Sequence, residues 1–186
     1  TYIDDAIDAF GEAVDAVAPM LPKGVRVALG NAHGRMAAFQ DDLIEISVAA
    51  IDPERYLRHE AVHALKKFGL FEDAEWRMLT DLAEREGVLQ REASKGVTLE
   101  QAYREAYDGR QNLEEQLKEE AVANLIERHR AGTRYGADFD GILGRAVEFV
   151  QRLGNLLKGR GFQTVDDVIE RLTSGDIAAR GDVPPV

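Results

Sequence analysis

Two histidines with a glutamate after the first could carry out metal chemistry. In "RHEAVHAL" (58–65), His59 and His63 are four residues apart and Glu60 follows His59. Residues i and i+4 of an α-helix project from one face, one turn apart, so both imidazoles could reach one ion. Neutral imidazole nitrogen suits zinc. Glu60 lies about 100° round the helix, where it could contact a metal-held water as a general base.

A catalytic zinc site needs a third protein ligand and one open position. The segment "KEEAVANLI" (118–126) offers Glu119 and Glu120 on a strongly predicted helix. Glu120 lies three residues after Leu117, on the side of the helix that we expect to face inward. A carboxylate on an inward face is costly unless it is paired or bound to a metal. We therefore predict Glu120 as the third ligand, with Glu119 as the alternative.

The remaining candidates have weaker signals. His33 lies in a glycine-flanked loop and His129 at a helix end, and we expect both to be surface histidines. Asn124, one turn after Glu120, could form a hydrogen bond within the site. A second donor often stabilises the oxyanion in hydrolysis, but no spacing rule selects one. The candidates are Tyr103, Tyr107, Tyr135, Arg134 and His33.

The helix that must carry the histidine pair has clear predicted ends. Asp52 is a good N-cap and Pro53 fits the first helical position. Lys66 and Lys67 suit the C-terminal dipole, and Gly69 should end the helix. A helix with a metal-binding polar face must bury its opposite face. The residues predicted for that face are Leu57, Ala61, Ala64, Leu65 and Phe68.

The elements around this helix predict an α+β fold that is mainly helical, with a small, mostly antiparallel N-terminal sheet. A helix should end before Pro19, and short strands are expected at 25–29, 35–40 and 43–48. Further helices are predicted at 73–86, from "TLEQ" (98–101), from "NLEE" (112–115), and after Thr164, whereas "REASKG" (91–96) is expected to be a loop. We place a domain boundary after residue 131. Residues 132–186 then form a C-terminal helical extension that packs on residues 1–131 through an apolar stripe at 142–157.

The amino-acid composition disfavours several classes of binding partner and site. The net charge of −11 disfavours direct binding to nucleic acid phosphates and favours solubility. No run of 18 apolar residues predicts a membrane span. The absence of cysteine excludes disulfides and cysteine-ligated metals, and fits a reducing cytoplasm. The chain begins with Thr and shows no signal peptide, so we expect it to be a segment of a larger parent polypeptide.

The motif "HEAVH" (59–63) resembles the active-site helix of the zincin metallopeptidases, in particular the gluzincin-like group with two histidines and one glutamate. "EAVAN" (120–124) is similar to the pattern that carries the third ligand in ImmA/IrrE-type peptidases of mobile elements. A closer likeness is to the metallopeptidase-like domains of polyvalent proteins in phages and conjugative elements, over roughly residues 25–180, including the trailing "GFQTVDDVIERLTSGDI". Such proteins act in the cytoplasm or are delivered into a recipient or host cell.

The resemblance implies a zincin-like domain that hydrolyses peptide bonds with zinc. His59, His63 and Glu120 would hold the metal, Glu60 would activate the water, and the strand at 43–48 would be the edge on which an extended peptide or protein substrate lies. Two other functions remain open. One is a metal-stabilised, non-proteolytic interaction module. Such a module would not need Glu60 as a base beside its metal ligands. The other is an acidic antirestriction-type mimic of DNA.

Overall fold

A computed structural model describes residues 2–129, 151–153, 155–161 and 163–181. The elements are α1 (Tyr2–Val17), β1 (Arg26–Gly30), β2 (Ala37–Gln40), β3 (Leu43–Ser47), α2 (Pro53–Lys67), α3 (Asp73–Arg85), β4 (Glu92–Ser94), β5 (Val97–Thr98), α4 (Leu99–Ala106), α5 (Leu113–Glu127) and α6 (Val165–Ser174). The mainly helical α+β class expected from the sequence is confirmed. The predicted boundary after residue 131 and most of the apolar stripe lie outside the described residues.

The chain divides into two compact units. The first consists of Thr1–Phe71, Ile126–Arg128 and Arg171–Val186. The second consists of Glu72–Leu125 and His129–Glu170.

The sheet of the first unit has the strand order β1-β3-β2. β1 runs parallel to β3, and β2 runs antiparallel to it. In the second unit β4 and β5 form an antiparallel pair, so two of the three strand pairings are antiparallel. β3 is the central strand, with partners on both sides. The expectation that this strand is a substrate-binding edge was therefore wrong, because its backbone groups already bond to β1 and β2.

Alternation along β3 explains how this sheet is packed. Ile44 and Ile46 are fully buried, because successive strand residues point to opposite faces. On the other face, the Glu45 carboxylate accepts a hydrogen bond from the backbone of Asn31 at 2.8 Å. A Cβ at Gly30 would come within 2.1 Å of that carboxylate, so any larger residue there would have to displace the Glu45 side chain.

α2 forms as its sequence predicts. The Asp52 side chain accepts from the Arg55 backbone N–H at 3.1 Å, and Pro53 occupies the first turn. The helix ends before Gly69, which has a φ of +67°. Four of the five residues predicted for the buried face have no exposed surface: Leu57, Ala61, Ala64 and Leu65. Phe68 was predicted wrongly and is 46% exposed, because it lies beyond Lys67, at the C-cap.

The second unit contains α3, α4 and most of α5. α3 buries Trp76, Leu79, Leu82 and Ala83, as its periodicity predicts. Thr98 caps α4 through a capping box with Gln101. From Ala121 to Glu127, α5 is buried on every side. In the described part of the 142–157 stripe, Leu153, Leu156 and Leu157 are exposed, so these three do not show the packing expected of them.

Candidate metal centre

The buried face of α2 fixes the direction in which its histidines point. Ala61, Val62, Ala64 and Leu65 have no exposed surface, whereas His59 and His63 are partly exposed. The two imidazole rings lie 4.9 Å apart between centroids and are tilted by 60°. The i, i+4 spacing therefore brings both rings to one side of the helix, as metal binding requires.

His59, His63 and Glu120 form a group that could hold a metal ion. One ligand atom from each residue can be chosen so that all three atoms lie within 4.8 Å of one another. Ligand atoms of a tetrahedral zinc ion, with bonds of about 2.0–2.1 Å, lie roughly 3.4 Å apart. The group is thus of the size that a metal ion could occupy. Two imidazoles and one carboxylate are also a ligand set that catalytic zinc uses.

Glu120 rather than Glu119 joins the histidines. Glu120 is 5% exposed, because it lies where the buried half of α5 begins. Glu119 is more exposed and is not part of the group. Tyr107 donates a hydrogen bond from its hydroxyl to Glu120 Oε1, at 2.5 Å. The carboxylate is thus held by a neighbouring helix of the same unit.

Glu127 is a site residue that sequence reasoning missed. His59 donates from Nδ1 to Glu127 Oε2 at 2.9 Å, and Arg55 forms an ion pair with Glu127 Oε1. Because Nδ1 is engaged, Nε2 is the nitrogen of His59 left to bind a metal. A carboxylate behind a ligating histidine fixes its tautomer and ring orientation. The available signal was the spacing, since Glu127 follows Glu120 by seven residues, two helical turns.

Electrostatics favour the charged form of Glu127. Burial raises the pKa of this carboxyl, but the hydrogen bond and charge of His59, together with those of Arg55, outweigh it. The net result is a pKa below the usual range of a glutamate. Glu127 is therefore ionised at neutral pH and can accept the proton of His59 Nδ1.

The other predicted residues are distributed as follows. Asn124 donates from Nδ2 to the backbone oxygen of Glu120 and to the Tyr103 hydroxyl, both at 2.8 Å. His129 is 8% exposed, so the expectation of a surface histidine was wrong; it follows the buried end of α5. It is not part of the metal group. Tyr135, Arg134 and the His33 side chain lie outside the described part of the chain.

Glu60 follows His59 on α2 and is partly exposed. Part of its surface is therefore in contact with solvent. A base beside a metal site needs such access to reach a water. The placement of Glu60 is therefore compatible with the predicted role.

Comparison with known proteins gives no family. No protein-family model matches the chain, and no curated protein or solved structure shows significant similarity to it. Within the described ranges of the chain, no helix combines the length and apolar character needed to cross a bilayer. The metal group is therefore the feature from which a function can be argued.

Proposed function

We propose that the chain is a zinc-dependent metallopeptidase domain that hydrolyses peptide bonds, and that it belongs to a larger phage or mobile-element protein. The observation that carries the proposal is the grouping of His59, His63 and Glu120 within 4.8 Å, with Glu60 next to the first ligand. The resemblance of "HEAVH" and "EAVAN" to zincin peptidases supports the same chemistry. The ligand set accounts for three positions and leaves a fourth for water.

A bound zinc ion would lower the pKa of a water molecule and polarise the scissile carbonyl. Glu60 would serve as the base that takes a proton from the attacking water as its oxygen bonds to the carbonyl carbon. Glu60 would then give the proton to the amide nitrogen as the C–N bond breaks, so that a carboxylic acid and an amine are released. Glu127 keeps the Nδ1 proton of His59 in place throughout, because it accepts that hydrogen bond from the other side of the ring.

An extended substrate would pair with β2 rather than with β3. Ser47 donates from its backbone to Met36, so residues 36, 38 and 40 bond to β3. The alternation of an antiparallel ladder then points the backbone groups of Ala37 and Phe39 outward. Among the described strands, none pairs with β2 on that side. β2 also packs beside α2, the helix that carries the histidines: Lys67 lies over the Phe39 ring at 5.0 Å.

The test compares Glu60→Gln with the unmodified chain. We expect the unmodified chain to bind zinc and to cleave members of a mixed peptide library, read by mass spectrometry. Glu60→Gln should bind zinc equally but lose turnover by at least about 100-fold, since it removes the general base. His59→Ala should lose both properties.

Glu119→Gln is the matched control and should retain both properties, because Glu119 lies next to a ligand but outside the group. Equal cleavage by Glu60→Gln and the unmodified chain would reject the catalytic role. Zinc binding without cleavage by the unmodified chain would favour the non-proteolytic interaction module.

A further inference from the structure

Two tyrosines, Tyr103 on α4 and Tyr107 at its C-cap, contact α5 at the candidate metal centre. Tyr103 and Tyr107 are one turn apart, and their rings are nearly parallel, with centroids at 6.0 Å. The Tyr103 hydroxyl accepts from Asn124, whereas the Tyr107 hydroxyl donates to Glu120. The two tyrosines therefore differ in what they bind. Tyr107 contacts the carboxylate of the candidate ligand Glu120, whereas Tyr103 contacts Asn124, which lies one helical turn further along α5.

The bond from Tyr107 to Glu120 is short and charge-assisted. At 2.5 Å, it is at the lower end of the range for a hydroxyl that donates to a carboxylate, a class roughly twice as strong as neutral hydrogen bonds. It engages Oε1 and directs it toward the phenol. Oε2 is then the oxygen better placed to approach an ion, because the bond from Tyr107 occupies one lone pair of Oε1 and competes with its approach to a metal.

The phenol is itself held in place. The Arg110 guanidinium lies over the Tyr107 ring at 4.8 Å, and the Tyr103 ring lies alongside. The capping box between Thr98 and Gln101 fixes the start of α4. The donor that meets Glu120 thus lies at the C-cap of α4, where its own backbone N–H donates to the Tyr103 backbone oxygen at 2.9 Å.

We propose that Tyr107 is a positioning residue that holds Glu120 as a one-oxygen ligand, and so makes the site selective for zinc-like ions over calcium-like ions. Tetrahedral zinc is satisfied by one carboxylate oxygen with two imidazoles and a water. Calcium takes six to eight oxygen ligands, often through two-oxygen carboxylates, which Tyr107 opposes. This inference rests on the metal site of the proposed function.

The experiment compares Tyr107→Phe with Tyr103→Phe. Each variant removes one tyrosine hydroxyl, but only the first loses the bond to Glu120. We expect Tyr107→Phe to weaken zinc binding by about 10–100-fold, the usual effect of losing a partner of a metal ligand. Tyr103→Phe should leave zinc affinity unchanged. Affinity is measured by competition with a chelator, and circular dichroism confirms that both variants are folded.

The visible spectrum of the cobalt-loaded protein is a second readout, and its result for the unmodified chain does not depend on whether a variant folds. We expect the intense bands of four-coordinate cobalt, and weaker five-coordinate bands in Tyr107→Phe if Glu120 then binds through both oxygens. Five-coordinate cobalt in the unmodified chain would overturn the proposal, even if Tyr107→Phe did not fold. So would unchanged affinity in Tyr107→Phe, or equal losses in the two variants. An unmodified chain that binds no metal would instead remove the metal site itself, which is a separate failure.

Discussion

At the scale of single residues, the candidate metal centre depends on how its carboxylates are held. Glu120 and Glu127 are both nearly buried, and each has a donor: Tyr107 for the first, His59 and Arg55 for the second. An unpaired buried carboxylate would instead take up a proton. His59 and Arg55 therefore keep Glu127 ionised, and Tyr107 supplies a hydrogen-bond donor to Glu120.

Replacing Glu127 with Gln tests its supporting role. The amide can still accept from His59 Nδ1, but it has no charge and loses the ion pair with Arg55. We expect zinc affinity, measured by chelator competition, to fall by about 10–100-fold, because the orientation and basicity of His59 are weakened. Glu115→Gln, which removes a surface partner of Lys118 on the same helix, should leave it unchanged. A zinc affinity in Glu127→Gln equal to that of the unmodified chain would show that His59 does not need a charged carboxylate as its hydrogen-bond acceptor.

The residue types of the site differ in how far sequence could identify them. His59 and His63 were identified from their spacing alone, and Glu120 from its place on an inward helix face. Glu127 was missed because its partners, Arg55 and His59, are about 70 residues away in the chain, and no periodicity relates such distant positions. The role of Tyr107 could not be separated from that of Tyr103, since both lie on the same helix face and only the tertiary contacts distinguish them.

At the scale of elements, hydrogen bonds at helix N-termini fix where helices begin. α6 begins with a reciprocal box in which Asp167 donates its backbone N–H to the Thr164 hydroxyl, and the Asp167 carboxylate accepts from the Thr164 backbone at 2.6 Å. Arg152 forms an ion pair with the same carboxylate at 2.8 Å. Burial raises the pKa of Asp167, but the bonds from Thr164 and the charge of Arg152 outweigh it and lower the pKa overall.

This box makes stability depend on pH. Because the pKa of Asp167 is lower in the folded chain, its stabilisation is fully present above the unfolded pKa of about 3.9 and is lost as pH falls through the folded value. We expect Asp167→Asn to lower the free energy of unfolding at pH 7, and the difference from the unmodified chain to shrink toward pH 2. Urea denaturation across this range measures both.

Asp176→Asn, at an exposed position just after α6, is the control and should show no such trend. A loss in Asp167→Asn that stays constant down to pH 2 would contradict the assignment, since it would mean that the charge of Asp167 does not contribute.

Helices and strands that are marked by nearby residues in the sequence were predicted. The order in which the strands pair was not predicted. The helix starts at Asp52, Thr98 and Thr164 follow from cap chemistry, and the three strands of the first unit follow from alternation. The central position of β3 did not follow, because strand order depends on contacts between distant segments. The β4–β5 pair was missed because "REASKGVT" is short, polar and charged, and carries little alternation.

At the scale of the whole molecule, a bound metal would add to folding stability. An ion that binds only the folded chain stabilises it by mass action. A metal at the candidate centre would have this effect, because the candidate ligands come from segments about 60 residues apart, which an unfolded chain seldom brings together. The net charge of −11 also favours cation binding over contact with nucleic acid phosphates.

The central claim is that His59, His63 and Glu120 hold one zinc ion. Zinc content after gentle purification, measured by plasma mass spectrometry, tests this most directly. We expect about one zinc per chain for the unmodified protein and almost none for Glu120→Ala, since two imidazoles alone hold zinc weakly. Less than about half an equivalent in the unmodified chain, or full retention by Glu120→Ala, would contradict the ligand set.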